Sequence, residues 1–264
     1  MRIFIKLKAL KTVYQDKSIN SRFHLGTQGY LYNKLKESNF YNIHDKKSYK
    51  PFCFSGIFPV FNQRIEEEYN YSLIISSPKK ELIDFFMLNI ITGEKVNFGE
   101  YFFEIIDLKV EKDILKNFDM LETTNMVSIT KKNEKGRPYS INFSKNEKEF
   151  LDYLRKNCIK KYNYYNNEDL PLDYDIFGKS IIKLKENSKE IISIKMPESQ
   201  KEKGFTIMGC PIEIKLSHLT KIQRDILNCV YDAGFGEKNS YGIGFMKKKT
   251  RFSLNDLNNF EKLI

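Results

Sequence analysis

The sequence has no tryptophan, three histidines and four cysteines in 264 residues. The cysteines, Cys53, Cys158, Cys210 and Cys229, form no C-x-x-C pair, and a structural zinc site needs clustered cysteine or histidine ligands. We therefore expect neither a metal site nor a cofactor. Unpaired thiols indicate a reduced, cytoplasmic protein.

Long apolar runs are also missing, so no segment reaches the length of a transmembrane helix. The opening stretch MRIFIKLKAL is too short and too charged for a signal peptide, and we expect no membrane partner. Nucleotide-binding motifs are absent too. No Lys-Ser or Lys-Thr pair comes directly after Gly242 to complete a P-loop, and Asn239 stands where a dinucleotide fingerprint has its third glycine. Since clustered carboxylates are absent as well, a small-molecule enzyme is the least favoured class.

Positive charge is in excess, with a formal net charge of +10 and a pI near 9.2. An excess of this size favours a polyanionic partner, and nucleic acid is favoured over an anionic membrane. The alternative explanation is a lysine-rich composition in which part of the excess is a solvated surface. Tyrosines (16) and phenylalanines (21) are plentiful; those beside lysines can stack on bases, although most are expected in the core.

Hydrophobic periodicity predicts the element order β-α-β-β-α-β in the first half of the chain. Its elements are a strand at 2–8, a helix at 25–38, strands at 52–58 and 70–76, a helix at 79–91 and a strand at 101–112. The second half repeats this order loosely. It has a strand at 126–131, a helix at 145–162 and strands at 181–186 and 191–196 joined by Asn187-Ser188, followed by a strand region at 204–216 broken by Gly209 and Pro211, a helix at 219–233 and a last strand. This order is typical of ferredoxin-like folds. We predict an α+β protein of two tandem ferredoxin-like domains, residues 1–120 and 121–264.

Four glycines crowd the stretch GFGEKNSYGIGFM, residues 234–246, which we call the glycine-rich loop. It leaves a helix whose start shows capping-box spacing at Thr220 and Gln223, and it enters the last strand. A helix stop at Gly234 followed by a tight turn explains one or two glycines, but not the repeated Gly-x-Gly pair. Glycines let backbone N–H groups approach and bind anions such as phosphates.

Four stretches together resemble the CRISPR-associated repeat-processing endoribonucleases, the sixth Cas family of the RAMP superfamily. They are MRIFIKL, GYLYNKLKESN, HDKKSYKPFCFSGIF and, most specifically, GFGEKNSYGIGFM. The resemblance spans the whole chain and implies two ferredoxin-like domains. It also implies metal-independent cleavage of the repeat in precursor CRISPR RNA by attack of a ribose 2′-hydroxyl. The products would carry a 2′,3′-cyclic phosphate or 3′-phosphate and a 5′-hydroxyl.

The resemblance also implies roles for particular residues. The family's catalytic histidine, lysine and preceding-helix tyrosine correspond to His44, Lys50 and Tyr32, although Tyr32 also suits half-buried packing. The glycine-rich loop would face the RNA in the cleft between the domains. The predicted RNA-binding residues are therefore Lys46, Lys47, Gly234, Gly236, Lys238, Asn239, Ser240, Gly242 and Gly244.

The chemistry itself favours histidine. Attack by a 2′-hydroxyl needs a base, an acid for the leaving 5′-oxygen, and positive charge near the phosphate. His44 lies in the polar loop NIHDKKSYK, whose lysines can hold a phosphate, although an exposed histidine in a mobile basic loop is the simpler alternative. His24, just before the predicted helix start, is the reserve candidate, and His218 receives no catalytic role.

Two other RNA-binding classes remain open. A non-catalytic RAMP subunit of a CRISPR ribonucleoprotein shares the fold and the glycine-rich loop but uses no histidine. An RRM-like protein outside CRISPR systems would carry aromatic RNP strands, which this sequence lacks. CRISPR repeat RNA is the expected partner, and a Cascade-type effector complex is a further one.

Overall fold

The first strand lies at the centre of an antiparallel sheet. A computed structural model describes residues 1–14, 19–36, 38, 40, 48–60, 64–196 and 204–249. In it β1 (Arg2–Ala9) pairs on both sides. Ile3, Ile5 and Leu7 alternate onto one buried face, as the two-residue period of a strand requires. The predicted strand at 2–8 is therefore confirmed.

The first half contains the predicted β-α-β-β-α-β order with additional short strands. After β1 come β2 (Val13–Tyr14), α1 (Ile19–Leu35), β3 (Cys53–Phe54), β4 (Arg64–Ile65), β5 (Asn70–Ser76), α2 (Lys80–Asn89), β6 (Lys95–Phe98) and β7 (Tyr101–Glu111). The main sheet has the order β3-β5-β1-β7-β6. Both neighbours of β1, the strands β5 and β7, are antiparallel to it. Helix α1 connects β1 to β3, and α2 connects β5 to β6 and β7 on the other side of β1.

The second half repeats this sheet order. Its elements are β8 (Met120–Thr123), β9 (Thr130–Lys132), β10 (Pro138–Ser140), α3 (Glu147–Asn166), β11 (Ile181–Leu184), β12 (Ile192–Met196), β13 (Phe205–Gly209), β14 (Ile212–Lys215), α4 (Lys221–Ala233) and β15 (Met246–Lys248). The four-stranded sheet runs β11-β14-β8-β15. In the first half, β3 follows α1 and lies at the edge, and β1 lies between β5 and β7. In the second half, β11 follows α3 and lies at the edge, and β8 lies between β14 and β15.

Two predicted boundaries are wrong. The first strand of the second half is β8, not 126–131. The charged residue Glu122 interrupts the apolar pattern of β8, and in the fold its carboxylate forms ion pairs with Lys185 and Lys247. Helix α1 begins six residues early, so His24 lies inside it. The 204–216 region, in contrast, divides at Gly209 and Pro211 as predicted, because Pro211 lacks the N–H that a continuous ladder needs. The resulting strands β13 and β14 pair with β12 and β11, respectively.

Arg2 joins the two halves. Its side chain points away from the Ile3 face and is buried against the second half. The guanidinium donates to Tyr231 O (2.7 Å) and Met246 O (2.9 Å), and its carbon lies 3.4 Å from the centroid of the Tyr231 ring. A buried guanidinium needs such partners to offset its lost hydration. These contacts place the end of α4, and the loop that follows it, beside the first sheet.

Candidate nucleic-acid interface

The glycine-rich loop leaves α4 and enters β15, as predicted. Gly234 follows the helix with φ +89°, and a single 3-10 turn spans Asn239–Tyr241. A Cβ on Gly244 would lie 1.8 Å from Phe235 O, and one on Gly242 would press on the Phe54 ring and on His24 Nδ1. Both glycines also have positive φ, so the close packing and the backbone conformation together require glycine at these positions, whether or not RNA is bound.

A buried lysine that the sequence analysis missed donates hydrogen bonds to this loop from α3. Lys161 of α3 is 1% exposed, and its Nζ donates to Gly234 O (2.6 Å), Gly236 O (2.5 Å) and Asn239 Oδ1 (2.6 Å). One signal could have revealed it. Phe150, Leu154 and Cys158 follow the helical period on the buried face of α3, and Lys161 continues that face.

The three polar side chains predicted to bind RNA lie in different surroundings. Asn239 is buried and donates to Phe235 O (3.1 Å) and Ile243 O (2.8 Å), which closes the loop on itself. Ser240 is also buried. Lys238 is exposed, and its Nζ lies 5.6 Å from the centroid of the Phe205 ring. Of the three, Lys238 is the side chain placed to meet a ligand from solvent.

Tyr32 contacts the glycine-rich loop from α1. Its side chain is half-buried and hydrogen bonds with Ser240, and its ring lies 5.4 Å from the Phe52 ring. Burial raises the pKa of the Tyr32 phenol above its ordinary value, and the Ser240 hydrogen bond offsets part of that shift. Tyr32 is therefore a neutral hydrogen-bonding group at physiological pH.

Lys50 lies in a segment that contacts both α1 and α3. Its backbone carbonyl accepts a hydrogen bond from Tyr165 Oη (2.8 Å), and the neighbouring Tyr49 ring lies 5.6 Å from that of Tyr164. Phe52, two residues on, contacts Tyr32. The structure thus brings the segment of Lys50 together with Tyr32 and the glycine-rich loop, whereas His44, Lys46 and Lys47 lie outside the described residues.

The other two histidines lie in contrasting positions. His24 is 1% exposed, its Nδ1 has no hydrogen-bond partner among the described residues, and burial lowers its pKa to about 4. It is therefore a neutral packing residue behind Gly242. His218 is exposed in a left-handed conformation (φ +50°) beside Phe118.

Comparison with known proteins gives the family. The family model for CRISPR associated protein Cas6, C-terminal, matches residues 107–248, more than half of the chain. The chain belongs to the Cas6 family. This match includes α3, α4 and the glycine-rich loop, and the family predicted from four short stretches is confirmed.

Individual Cas6 relatives match over nearly the whole chain. The CRISPR-associated endoribonuclease Cas6 2 of Methanocaldococcus jannaschii is 29% identical over 246 residues, which are 92% of this chain and 98% of that protein. The solved structure of a Cas6-related gene product from Pyrococcus furiosus has a TM-score of 0.66 at 23% identity and covers 96% of this chain and 99% of its own. A RAMP protein described as binding different RNA substrates gives 0.69 at 19% identity, covering 95% and 100%. The two structures confirm the predicted α+β fold.

Two features are absent from the residues that the structure describes. Within them, no helix is long and apolar enough to cross a membrane. The same residues contain no group of three or more His, Cys, Asp or Glu side chains arranged to hold a metal ion.

Proposed function

We propose that this Cas6 chain is an endoribonuclease that cleaves the repeat of precursor CRISPR RNA. The observation that carries the proposal is that Tyr32 contacts both Ser240 of the glycine-rich loop and Phe52, which lies two residues after Lys50. The M. jannaschii relative is named an endoribonuclease, and one structural neighbour is described as binding RNA, which supports this activity and this partner. A cytoplasmic location and delivery of the product to a Cascade-type complex belong to the same proposal.

The proposed reaction is metal-independent attack of the 2′-hydroxyl on the adjacent phosphate. The O2′–P bond forms as the P–O5′ bond breaks, which leaves a 2′,3′-cyclic phosphate, or a 3′-phosphate after hydrolysis, and a 5′-hydroxyl. His44 supplies proton transfer, because its type of side chain titrates near neutral pH. Lys50 supplies positive charge to the phosphate. Tyr32, whose pKa is raised by burial, is suited to donate a hydrogen bond rather than to act as a phenolate base.

RNA binding divides between direct contact and support. Lys238 is exposed and, with Lys46 and Lys47, is proposed to contact phosphates. Gly234, Gly236, Gly242, Gly244, Asn239 and Ser240 are buried, so their proposed contribution is the shape of the loop and the direction of its backbone groups. Replacing a loop glycine would disturb packing as well as binding, and Lys238 is therefore the better probe of RNA contact.

The test is single-turnover cleavage of the cognate repeat RNA in EDTA with enzyme in excess. We expect full activity, a 5′-hydroxyl product, and no cleavage when the nucleotide upstream of the cut is 2′-deoxy. His44→Ala should lose at least about 10²-fold in rate with little change in affinity. His218→Asn is the matched control, since His218 is exposed and its left-handed conformation suits asparagine.

Three results would contradict parts of this proposal. A strict requirement for a divalent metal would overturn the mechanism. Tight binding without cleavage by the wild type would favour the non-catalytic RAMP subunit. Wild-type rates for His44→Ala would move the chemistry away from this histidine and toward Tyr32 and Lys50.

A further inference from the structure

The Lys161 ammonium fits its three acceptors completely. A lysine ammonium has three N–H donors. Lys161 directs them at two backbone carbonyls and one side-chain oxygen, all in the glycine-rich loop and all within 2.6 Å. Its side chain is 1% exposed, so water cannot replace a lost partner without a change in packing. One charged group on α3 therefore fixes both ends of the segment from Gly234 to Asn239.

The ammonium of Lys161 is surrounded by three thiols and one carboxylate. The nearby thiols of Cys53, Cys158 and Cys229 are neutral at physiological pH because burial raises their pKa to about 12. Glu237 is the carboxylate that acts on Lys161 from the loop itself. Burial lowers the pKa of Lys161 to about 8, so the three-donor ammonium predominates at pH 7.

The contacts continue from Lys161 to the candidate catalytic tyrosine. Asn239 accepts from Lys161 and donates to Phe235 O and Ile243 O. The next residue, Ser240, hydrogen bonds with Tyr32. Gln28, one helical turn before Tyr32, also reaches Ser240 Oγ (3.4 Å). These contacts form a continuous path from Lys161 to the Tyr32 phenol.

We propose that Lys161 is a positioning residue that holds the glycine-rich loop in its active shape, presenting Lys238 to the RNA and Ser240 to Tyr32. Lys161 itself touches no RNA, because it is enclosed under the loop. The inference rests on the proposed function and deepens it by assigning the support of the site to a residue outside the predicted set.

The first experiment separates support from phosphate contact by the salt dependence of repeat-RNA binding. Lys161→Met removes the donors while keeping an apolar stem of similar length. Affinity should fall about tenfold or more at every salt concentration, with the slope of log K against log salt unchanged. Lys238→Ala should instead lower the slope by about 1. The matched control is Lys160→Met, which removes the exposed neighbouring lysine of α3. A reduced slope for Lys161→Met, or wild-type affinity, would overturn the inference.

The second experiment tests the connection to Tyr32 by a double-mutant cycle on the single-turnover rate at saturating enzyme. Lys161→Met should slow cleavage, and the same change should cost much less in a Ser240→Ala background, because the contact it supports is already gone. Independent, additive losses would show that Lys161 does not act through Ser240.

A third variant and a wild-type measurement cover the case in which Lys161→Met does not fold. Lys161→Gln keeps two N–H donors and should lose less affinity than the methionine variant; equal losses would contradict a hydrogen-bonding role. In the wild type, the Nζ protons of Lys161 should exchange with water far more slowly than those of the surface lysines, because the ammonium is buried and donates to three acceptors. Exchange as fast as that of the surface lysines would overturn the inference. An inactive wild type would instead contradict the proposed function.

Discussion

At the scale of single residues, the two titratable side chains of α1 that contact the glycine-rich loop, His24 and Tyr32, are both neutral at physiological pH. Burial lowers the pKa of His24 to about 4 and raises that of Tyr32. Neither can supply positive charge to a phosphate. In the proposed mechanism, the positive charge needed during cleavage is therefore assigned to lysines such as Lys50 and Lys238, and proton transfer is assigned to His44.

The burial of neutral His24 predicts a pH dependence of stability. In the folded protein His24 takes up a proton only near pH 4, whereas in the unfolded chain it does so near 6.5. The unfolded chain binds more protons between these values, so the free energy of unfolding falls as the pH is lowered through this window, by up to about 1.4 kcal/mol per pH unit. Urea unfolding between pH 4 and 7 should show this slope in the wild type.

Substitution assigns that slope to its residue. His24→Gln cannot titrate, so its free energy of unfolding should vary less with pH than that of the wild type, whatever its absolute value. His218→Asn should keep the wild-type slope. Identical slopes for wild type and His24→Gln would show that His24 is not a buried neutral group.

At the scale of elements, two glycines in α1 occupy opposite surroundings. A Cβ on Gly26 would lie 2.3 Å from Gly99 N, so this glycine allows α1 to approach the turn between β6 and β7. Gly29 is exposed, and a Cβ there would meet nothing within 4 Å. Glycine inside a helix costs about 0.5–1 kcal/mol relative to alanine. With no packing reason for Gly29, we expect that RNA passes close to α1 one turn before Tyr32.

The paired substitutions test this expectation. Gly29→Ala should raise the free energy of unfolding by about 0.5–1 kcal/mol and weaken binding of repeat RNA, because the added methyl group occupies the path of the ligand. Gly26→Ala should lower the free energy of unfolding, since the added methyl group would clash with the backbone of Gly99, which cannot move without disturbing the turn. Thermal unfolding and RNA titration measure both effects. A Gly29→Ala protein that is more stable and binds RNA normally would place the RNA elsewhere.

Elements with a local chemical signal could be predicted from the sequence, and those set by distant partners could not. The capping box of Thr220 and Gln223 is present at the start of α4, because both partners lie within one turn. Strand β8 was missed because Glu122 depends on lysines far along the chain. Lys161 was missed for the same reason, since its acceptors lie more than 70 residues away. The predicted roles of His44, Lys46 and Lys47 stay predictions.

At the scale of the whole molecule, the candidate site depends on how the two halves meet. Tyr32 and Lys50 come from the first half, and Lys161 and the glycine-rich loop come from the second. Arg2 fixes this arrangement from the central strand of the first sheet. Its guanidinium joins Tyr231 O and Met246 O at the two ends of the stretch that contains the loop, and its Nε lies 3.6 Å from Asp232 Oδ1. The proposed domains, residues 1–120 and 121–264, are therefore expected to unfold as one cooperative unit.

Arg2→Met should consequently destabilise the whole protein. The change removes a buried cation, leaves two carbonyls without their donor and takes one of two cations from Asp232, whose other partner is the Met1 ammonium. Breaking a buried ionic network of this kind costs about 3–5 kcal/mol. Arg22→Met, which removes the exposed partner of Glu100, is the control and should cost no more than about 1 kcal/mol. Urea unfolding followed by circular dichroism and by tyrosine fluorescence measures both variants. Because the halves share this network, we expect both signals of the wild type to change in a single coincident transition. We also expect a large loss in the free energy of unfolding for Arg2→Met alone. Separate transitions in the wild type, or equal small losses in the two variants, would show that the halves are held together by something other than Arg2.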